Sequence, residues 1–180
     1  MPLNIFKKRE ISTNNWYAVF VETGEEEKVR ERLKYRFEEK YKIIVPKRKL
    51  RERSKGVWVE RIRILFPGYV LVNGYIKSED IIKFKDIPGL LKLLKSGYEP
   101  LTIEAYEIEL INSMMSYDET IGLSEVLFEN GRVVVVDGPL LNFEGHIKSI
   151  DRRKGRAKVK LNFLGEDRVV ELGINVLRPE

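Results

Sequence analysis

The stretch Arg132-Val133-Val134-Val135-Val136-Asp137-Gly138-Pro139 constrains the fold more tightly than any other in the chain. Four consecutive valines are stiff at χ1 and favour extended backbone. Gly138 supplies backbone freedom and Pro139 fixes one dihedral, so the strand must turn sharply before it returns. The return is Gly145 to Ile150, and two further strand-like runs follow over Ala157 to Phe163 and Arg168 to Leu172. Short strands separated by Gly-containing turns, with no helical period between them, predict a small barrel. A unit of about 50 residues buries little apolar surface, so a closed sheet with few free edges is its stable solution. Gly138, Pro139 and Gly145 therefore read as turn builders and not as a site.

A different pattern precedes it. Trp16-Tyr17-Ala18-Val19-Phe20-Val21-Glu22 reads as a strand closed by Thr23-Gly24. A helix follows, with Glu25, Glu26 and Glu27 complementing its dipole and Val29, Leu33 and Phe37 recurring on one face. Lys40 to Arg63 predicts two strands joined by a mobile loop at Ser54-Lys55-Gly56. After Pro67-Gly68, Tyr69 to Val72 reads as a buried strand ending near Asn73-Gly74. Ser78 is the expected N-cap of a short helix over Glu79 to Lys85, and Leu90 to Leu94 a further strand. A second long helix after Pro100 carries Ile103, Tyr106, Leu110, Ile111 and Met114 at helical offsets. This order describes an α+β sandwich with an antiparallel sheet. The expected division is a first domain over 12–116, a linker over 117–127 and the barrel over 128–180.

Composition excludes several function classes. The chain has no cysteine and a single histidine, His146, so thiol chemistry and the usual zinc sets are closed to it. No metal and no cofactor are expected. Glu107 and Glu109 are paired carboxylates, but helix neighbours at that spacing point in different directions. With no nucleophile and base in sight, and no loop that would cradle a phosphate, the chain reads as a non-enzyme. Met1 to Asn15 is charged, and no later stretch approaches the roughly 20 apolar residues of a membrane span. The expectation is a cytoplasmic protein, neither exported nor membrane-embedded.

The barrel segment from Asn130 to Ile147 resembles the KOW motif, a strand, a Gly-Pro loop and a second Gly-started strand within a five-stranded, SH3-like barrel. Upstream, Trp16-Tyr17-Ala18-Val19, Phe66-Pro67-Gly68-Tyr69-Val70-Leu71-Val72, Ile87-Pro88-Gly89 and Pro100-Leu101-Thr102 occur in the order and approximate spacing of the NGN domain. Together these cover residues from about 14 to 180 and resemble the bacterial NusG family of transcription elongation and antitermination factors. The resemblance implies docking on the clamp helices of RNA polymerase through an aromatic patch, here Tyr17, Phe66, Pro67, Gly68 and Tyr69, with Leu90 or Leu91 nearby. Aromatic rings are apt anchors, giving large contact area at low entropy cost. The plainer reading of Trp16 and Tyr69 is as core residues.

Net charge is +5, and its clustering matters more than its size. Lys47, Arg48, Lys49, Arg51 and Arg53 form one cationic run, read either as a solvated loop or as a contact to non-template DNA, with Trp58 as a stacking surface. Arg152, Arg153, Lys154, Arg156, Lys158 and Lys160 form a second, and strand alternation puts Arg156, Lys158 and Lys160 on one face. Six cations within nine residues favour phosphate contact. In the family the barrel loop matching Asn162-Phe163-Leu164-Gly165 is associated with the termination factor Rho or ribosomal protein NusE, so Phe163 and Leu164 are candidate partner residues. The two basic runs look closer to LoaP-like specialised paralogues, which act on particular long operons and are linked to an RNA element in the leader. The resulting expectation is a monomeric, processive antitermination factor that binds nascent RNA, including an RNA hairpin. The alternatives are a housekeeping NusG working through Rho or NusE, and a KOW-containing ribosomal RNA-binding protein.

Overall fold

Strand β1 (Trp16–Val21) alternates its side chains between two cores, and the rest of the N-terminal domain is arranged around that alternation. The structure, a computed structural model, describes residues 15–177. The outer edges of the two expected domains, and nearly all of the charged N-terminal stretch, lie outside the described residues. Tyr17, Val19 and Val21 face helix α1 (Glu26–Arg36), whose Val29 and Leu33 are fully buried against them. Ala18 faces the other way, toward the second core.

The remaining strands of that sheet are β2 (Lys42–Ile44), β5 (Tyr69–Asn73) and β6 (Leu90–Leu93), in the antiparallel order β2-β5-β1-β6. Between β2 and β5 runs a hairpin of β3 (Lys47–Ser54) and β4 (Val57–Ile64). It is paired without interruption from Lys47↔Ile64 to Ser54↔Val57. Lys55 and Gly56, with φ of 49° and 84°, close it as a tight two-residue turn where the sequence predicts a mobile loop. Helix α2 (Ser78–Ile81) starts at Ser78 itself, with Lys77 at the cap position and no side-chain cap bond, and runs into a 3-10 turn over Ile82–Phe84. A small hairpin of β7 (Lys95–Ser96) and β8 (Glu99–Pro100) leads to helix α3 (Ala105–Met114), which buries Ile108, Ile111 and Met114 on the sheet's second face.

Strand β9 (Thr120–Ile121) runs parallel to β3, and β10 (Ser124–Glu129) opens the barrel. The strand β10 passes through the stretch expected to be linker. Its partner is the far end of the chain, with Ser124 opposite Ile174 and Val126 opposite Val176, a pairing no local pattern reveals. Strands β11 (Arg132–Asp137), β12 (Ile147–Asp151), β13 (Arg156–Phe163) and β14 (Glu166–Val176) complete a sheet of order β11-β10-β14-β13-β12. The architecture is thus an NGN-type sandwich followed by a five-stranded KOW barrel. Gly138 has φ +96°, and a Cβ there would lie 2.7 Å from both the Leu123 carbonyl oxygen and the Ser124 Cα, so the Asp137-Gly138-Pro139 turn admits glycine alone at its middle position.

Candidate functional site

The Phe66-Pro67-Gly68-Tyr69 segment sits between β4 and β5, and a buried carboxylate holds its shape. Glu26, 1% exposed at the start of α1, accepts the Gly68 N–H at 2.8 Å and the Gly24 N–H at 2.8 Å. Gly68 has φ +85° and lies against the Phe20 ring, while Phe20 and Tyr69 meet at 5.5 Å. The segment therefore presents its aromatic rings from a fixed bend.

Those rings are covered by the barrel. Phe163, at the end of β13, stacks on Phe66 with centroids 4.1 Å apart and planes 3° from parallel, and meets Tyr69 edge-on at 5.4 Å. Phe66 and Phe163 are 4% and 0% exposed as a result. Arg168 lays its guanidinium over both Tyr69 and Phe163, 5.2 and 5.4 Å from the centroids, and reaches the Tyr69 hydroxyl at 3.4 Å. Beside them the carboxylate of Glu107 on α3 accepts the N–H groups of Leu164 at 3.2 Å and Gly165 at 2.9 Å, the two positive-φ residues of the β13–β14 turn. A buried carboxylate satisfied by two backbone donors makes a directional latch.

The other end of the joint is cationic. Arg48 donates to the Glu171 carbonyl at 2.7 Å, Arg51 to the Asn175 side-chain oxygen at 3.2 Å, and Arg156 back to the Arg51 carbonyl at 2.9 Å. Arg156 also pairs with Glu171 at 3.3 Å. Burial lowers the pKa of Arg48; the nearby Glu171 charge opposes that shift, and Arg156 adds to it. At Gly173 the barrel backbone approaches so closely that a Cβ would lie 2.4 Å from the Lys49 carbonyl oxygen.

The expected nucleic-acid residues divide into three groups. Lys47 pairs with Glu27 at 2.7 Å, Lys49 with Glu60 at 3.4 Å and Lys160 with Asp167 at 2.5 Å; Arg53 bonds the Gly56 carbonyl across its turn. Arg48, Arg51 and Arg156 serve the joint. Arg152, Arg153, Lys154 and Lys158 are exposed and, among the described residues, pair with no carboxylate. Of the expected docking residues, Tyr17 is buried in the core beneath α1, Pro67 and Leu91 are exposed, and Leu90 packs at the edge of that core. Sequence reasoning weighed Glu107 only as one of a carboxylate pair and passed over Arg168 and Gly173; the partners that matter, Leu164 and Gly165, Tyr69 and the Lys49 carbonyl, are far off in sequence and leave no local signal.

A sheet-and-helix domain followed by a five-stranded barrel is the architecture of NGN plus KOW proteins. Residues 14–112 match the family model described as transcription termination factor nusG. The chain is 32% identical over 168 residues to the transcription termination/antitermination protein NusG of Bacillus subtilis, covering 88% of this chain and 94% of that protein. It is 28% identical over 185 residues to the protein of the same name from Rickettsia felis, with coverage of 97% and 95%. A solved structure described as "Domain interaction in Thermotoga maritima NusG" is similar with a TM-score of 0.57 at 25% identity, covering 89% of this chain and 93% of that one. The chain belongs to the NusG family.

Proposed function

We propose that the chain is a transcription elongation factor that binds RNA polymerase and promotes processive antitermination, recruited through a leader RNA element. The observation that carries the docking half is the preformed aromatic turn at Phe66 and Tyr69, which the barrel covers with an aromatic of its own. A surface that satisfies Phe163 by stacking has the chemistry to satisfy an apolar patch on the polymerase clamp helices. Docking then requires the barrel to leave, and polymerase binding selects the open arrangement of the molecule. Once docked, the N-terminal domain favours the closed, elongating clamp, with no covalent step and no cofactor, so the protein acts as a monomeric, non-enzymatic, cytoplasmic factor.

The recruitment half rests on the barrel's free cations. Arg152, Arg153, Lys154 and Lys158 can meet RNA phosphates, and a hairpin suits them because A-form RNA is read through shape, phosphates and loop bases. In this reading the β3–β4 hairpin, with Arg53 and Trp58, meets non-template DNA. We assign the docking unit to 12–116 and the effector barrel to 128–180, joined by a linker over 117–127 whose last residues already pair in the barrel as the start of β10. A general NusG role through Rho or NusE is favoured by one observation, the apolar tip at Phe163 and Leu164, which opening would release for a partner.

Single-round transcription through tandem terminators, with and without the leader, tests both halves. In a chain already opened by Glu107→Arg, so that the closed arrangement no longer competes, Phe66→Ala should lower polymerase association about tenfold, roughly 1.4 kcal/mol, and read-through with it. Replacing Arg153 and Lys158 by Ala should remove the leader's effect only. Undiminished association of Phe66→Ala sinks the docking reading, and read-through equal with and without leader transfers the protein to the general-factor reading.

A further inference from the structure

The two basic runs are about a hundred residues apart in sequence, yet the joint brings part of each to the walls of one open groove of about 250 Å³. From the N-terminal domain it takes Arg51 and Trp58; from the barrel it takes Arg152, Arg153, Lys154 and Asn175. Trp58 is 49% exposed, an unusual state for an indole without a partner. Arg51 is held by Asn175 and through its own carbonyl by Arg156, so its position depends on the barrel being in place. Arg152 stacks its guanidinium on the Phe128 ring at 3.3 Å, which fixes it while leaving its N–H edge available.

Among the described residues, the carboxylates that could neutralise this groove are engaged elsewhere. Glu52 is gripped by Arg63 at 2.7 and 2.6 Å, which holds its carboxyl below the ordinary range, Glu60 by Lys49 and Glu171 by Arg156. Asp151 accepts the Lys154 backbone N–H and so shapes the turn that carries the cations. What remains is a positively charged depression with one exposed aromatic, the combination that binds single strands through phosphates and base stacking. Its size and openness suit a base with its flanking phosphates better than a duplex, whose major groove is read by a whole helix or ribbon.

We propose that this groove binds a single strand of nucleic acid, with a base on Trp58 and phosphates on Arg51, Arg153 and Lys154, and that only the barrel-docked arrangement presents it complete. The inference deepens the nucleic-acid reading given above and rests on it. Opening the joint carries Arg153 and Lys154 away from Trp58 and Arg51, so strand and polymerase favour opposite arrangements. By linkage each weakens the other. The strand would then concentrate the covered factor beside the transcript, and polymerase docking would loosen that grip, so the leader recruits where the local concentration it supplies outweighs the coupling.

The test uses the full chain and labelled oligo-uridine and oligo-thymidine of about ten nucleotides, with affinities read by anisotropy over a salt series. Trp58→Ala and the pair Arg153→Ala with Lys154→Ala should each weaken binding at least fivefold. Combined, they should lose clearly less than the product of the separate losses, because they share one strand. Glu107→Arg, far from the groove, should open the joint, seen as expansion in small-angle scattering, weaken binding at least fivefold and make the two losses multiply independently. Preference for uridine identifies the transcript as the ligand; preference for thymidine identifies displaced DNA. Binding that persists while the losses multiply in the unmodified joint overturns the shared groove but spares the basic face. No binding of either strand overturns both.

Discussion

The joint between the two domains has two ends built on opposite chemistry. At one end Phe66, Tyr69 and Phe163 make a dry aromatic stack roofed by Arg168 and latched by Glu107. At the other, three arginines cross between the domains onto backbone carbonyls and an amide. The aromatic end gains from area and stacking and leaves few polar groups short. The arginine end is less complete, because the Nε atoms of Arg48 and Arg156 are buried and find no acceptor among the described residues, and the same holds for Arg168 at the aromatic end. A buried guanidinium with an unanswered donor costs free energy that the closed arrangement must carry and the open one does not. The stack therefore drives closure, and the arginines tune how easily it is undone.

If the aromatic end drives closure, Phe163→Ala has the largest effect. Removing a fully buried phenyl costs about 3 kcal/mol. Because Phe163 faces the N-terminal domain, much of that falls on the joint, shifting the closed-to-open ratio by roughly a hundredfold. Amide spectra separate opening from unfolding: signals around Phe66 and Tyr69 should move while those of β13 stay dispersed. Loss of dispersion across β13 would mean that Phe163 serves the barrel and not the joint, and that the aromatic end does not drive closure.

Gly173→Ala probes the other end with a smaller change. Its φ is not in the left-handed region, so alanine is tolerated by the backbone and the effect isolates the clash with the Lys49 carbonyl and the Leu123 side chain, each at 2.4 Å. A backbone oxygen cannot swing aside, and overpacking of this kind costs about 2 kcal/mol. The expected result is partial opening in small-angle scattering with the thermal stability of the barrel nearly intact. A fully closed Gly173→Ala protein would show that the arginine end adapts and that the stack alone sets the joint.

Much of the fold was legible because it is local. Tyr17, Val19 and Val21 alternate, Val29 and Leu33 recur at helical spacing, and Gly138 with Pro139 marks a turn that sterics then require. The site was legible as a set of residue types but not as an arrangement. Nothing in Lys47-Arg48-Lys49 says that the first and third cations are held by Glu27 and Glu60 while the second enters the joint. Nothing in Phe66 or Phe163 says that each is the other's cover. Strand β10 escaped for the same reason, since its pairing with β14 spans about fifty residues. Tyr17 shows the reverse case, in which strand alternation, already readable, places a candidate docking ring among core residues facing α1.

A group that touches neither end supplies the smallest effect and the control for both. Asp80 on α2 is buried and bonded to Lys40, to the Tyr41 hydroxyl at 2.6 Å and to Lys83 at 3.0 Å. Burial pushes its pKa up, but those three hydrogen bonds together outweigh it and hold the carboxyl at about 2. A carboxylate depressed on folding stabilises the native state at pH values above its unfolded pKa of roughly 4. That contribution is lost as pH falls from there through about 2. Allowing for solvent around Lys40 and Lys83, it is on the order of 1 kcal/mol at neutral pH. Asp80→Asn should therefore lower the urea midpoint at pH 7, and the gap from the parent chain should narrow steadily between about pH 4 and pH 2. The substitution should leave scattering dimensions and the Phe66 and Tyr69 signals unchanged. If it opens the molecule, the N-terminal core is coupled to the joint, and the two ends cannot be treated as the only determinants of closure.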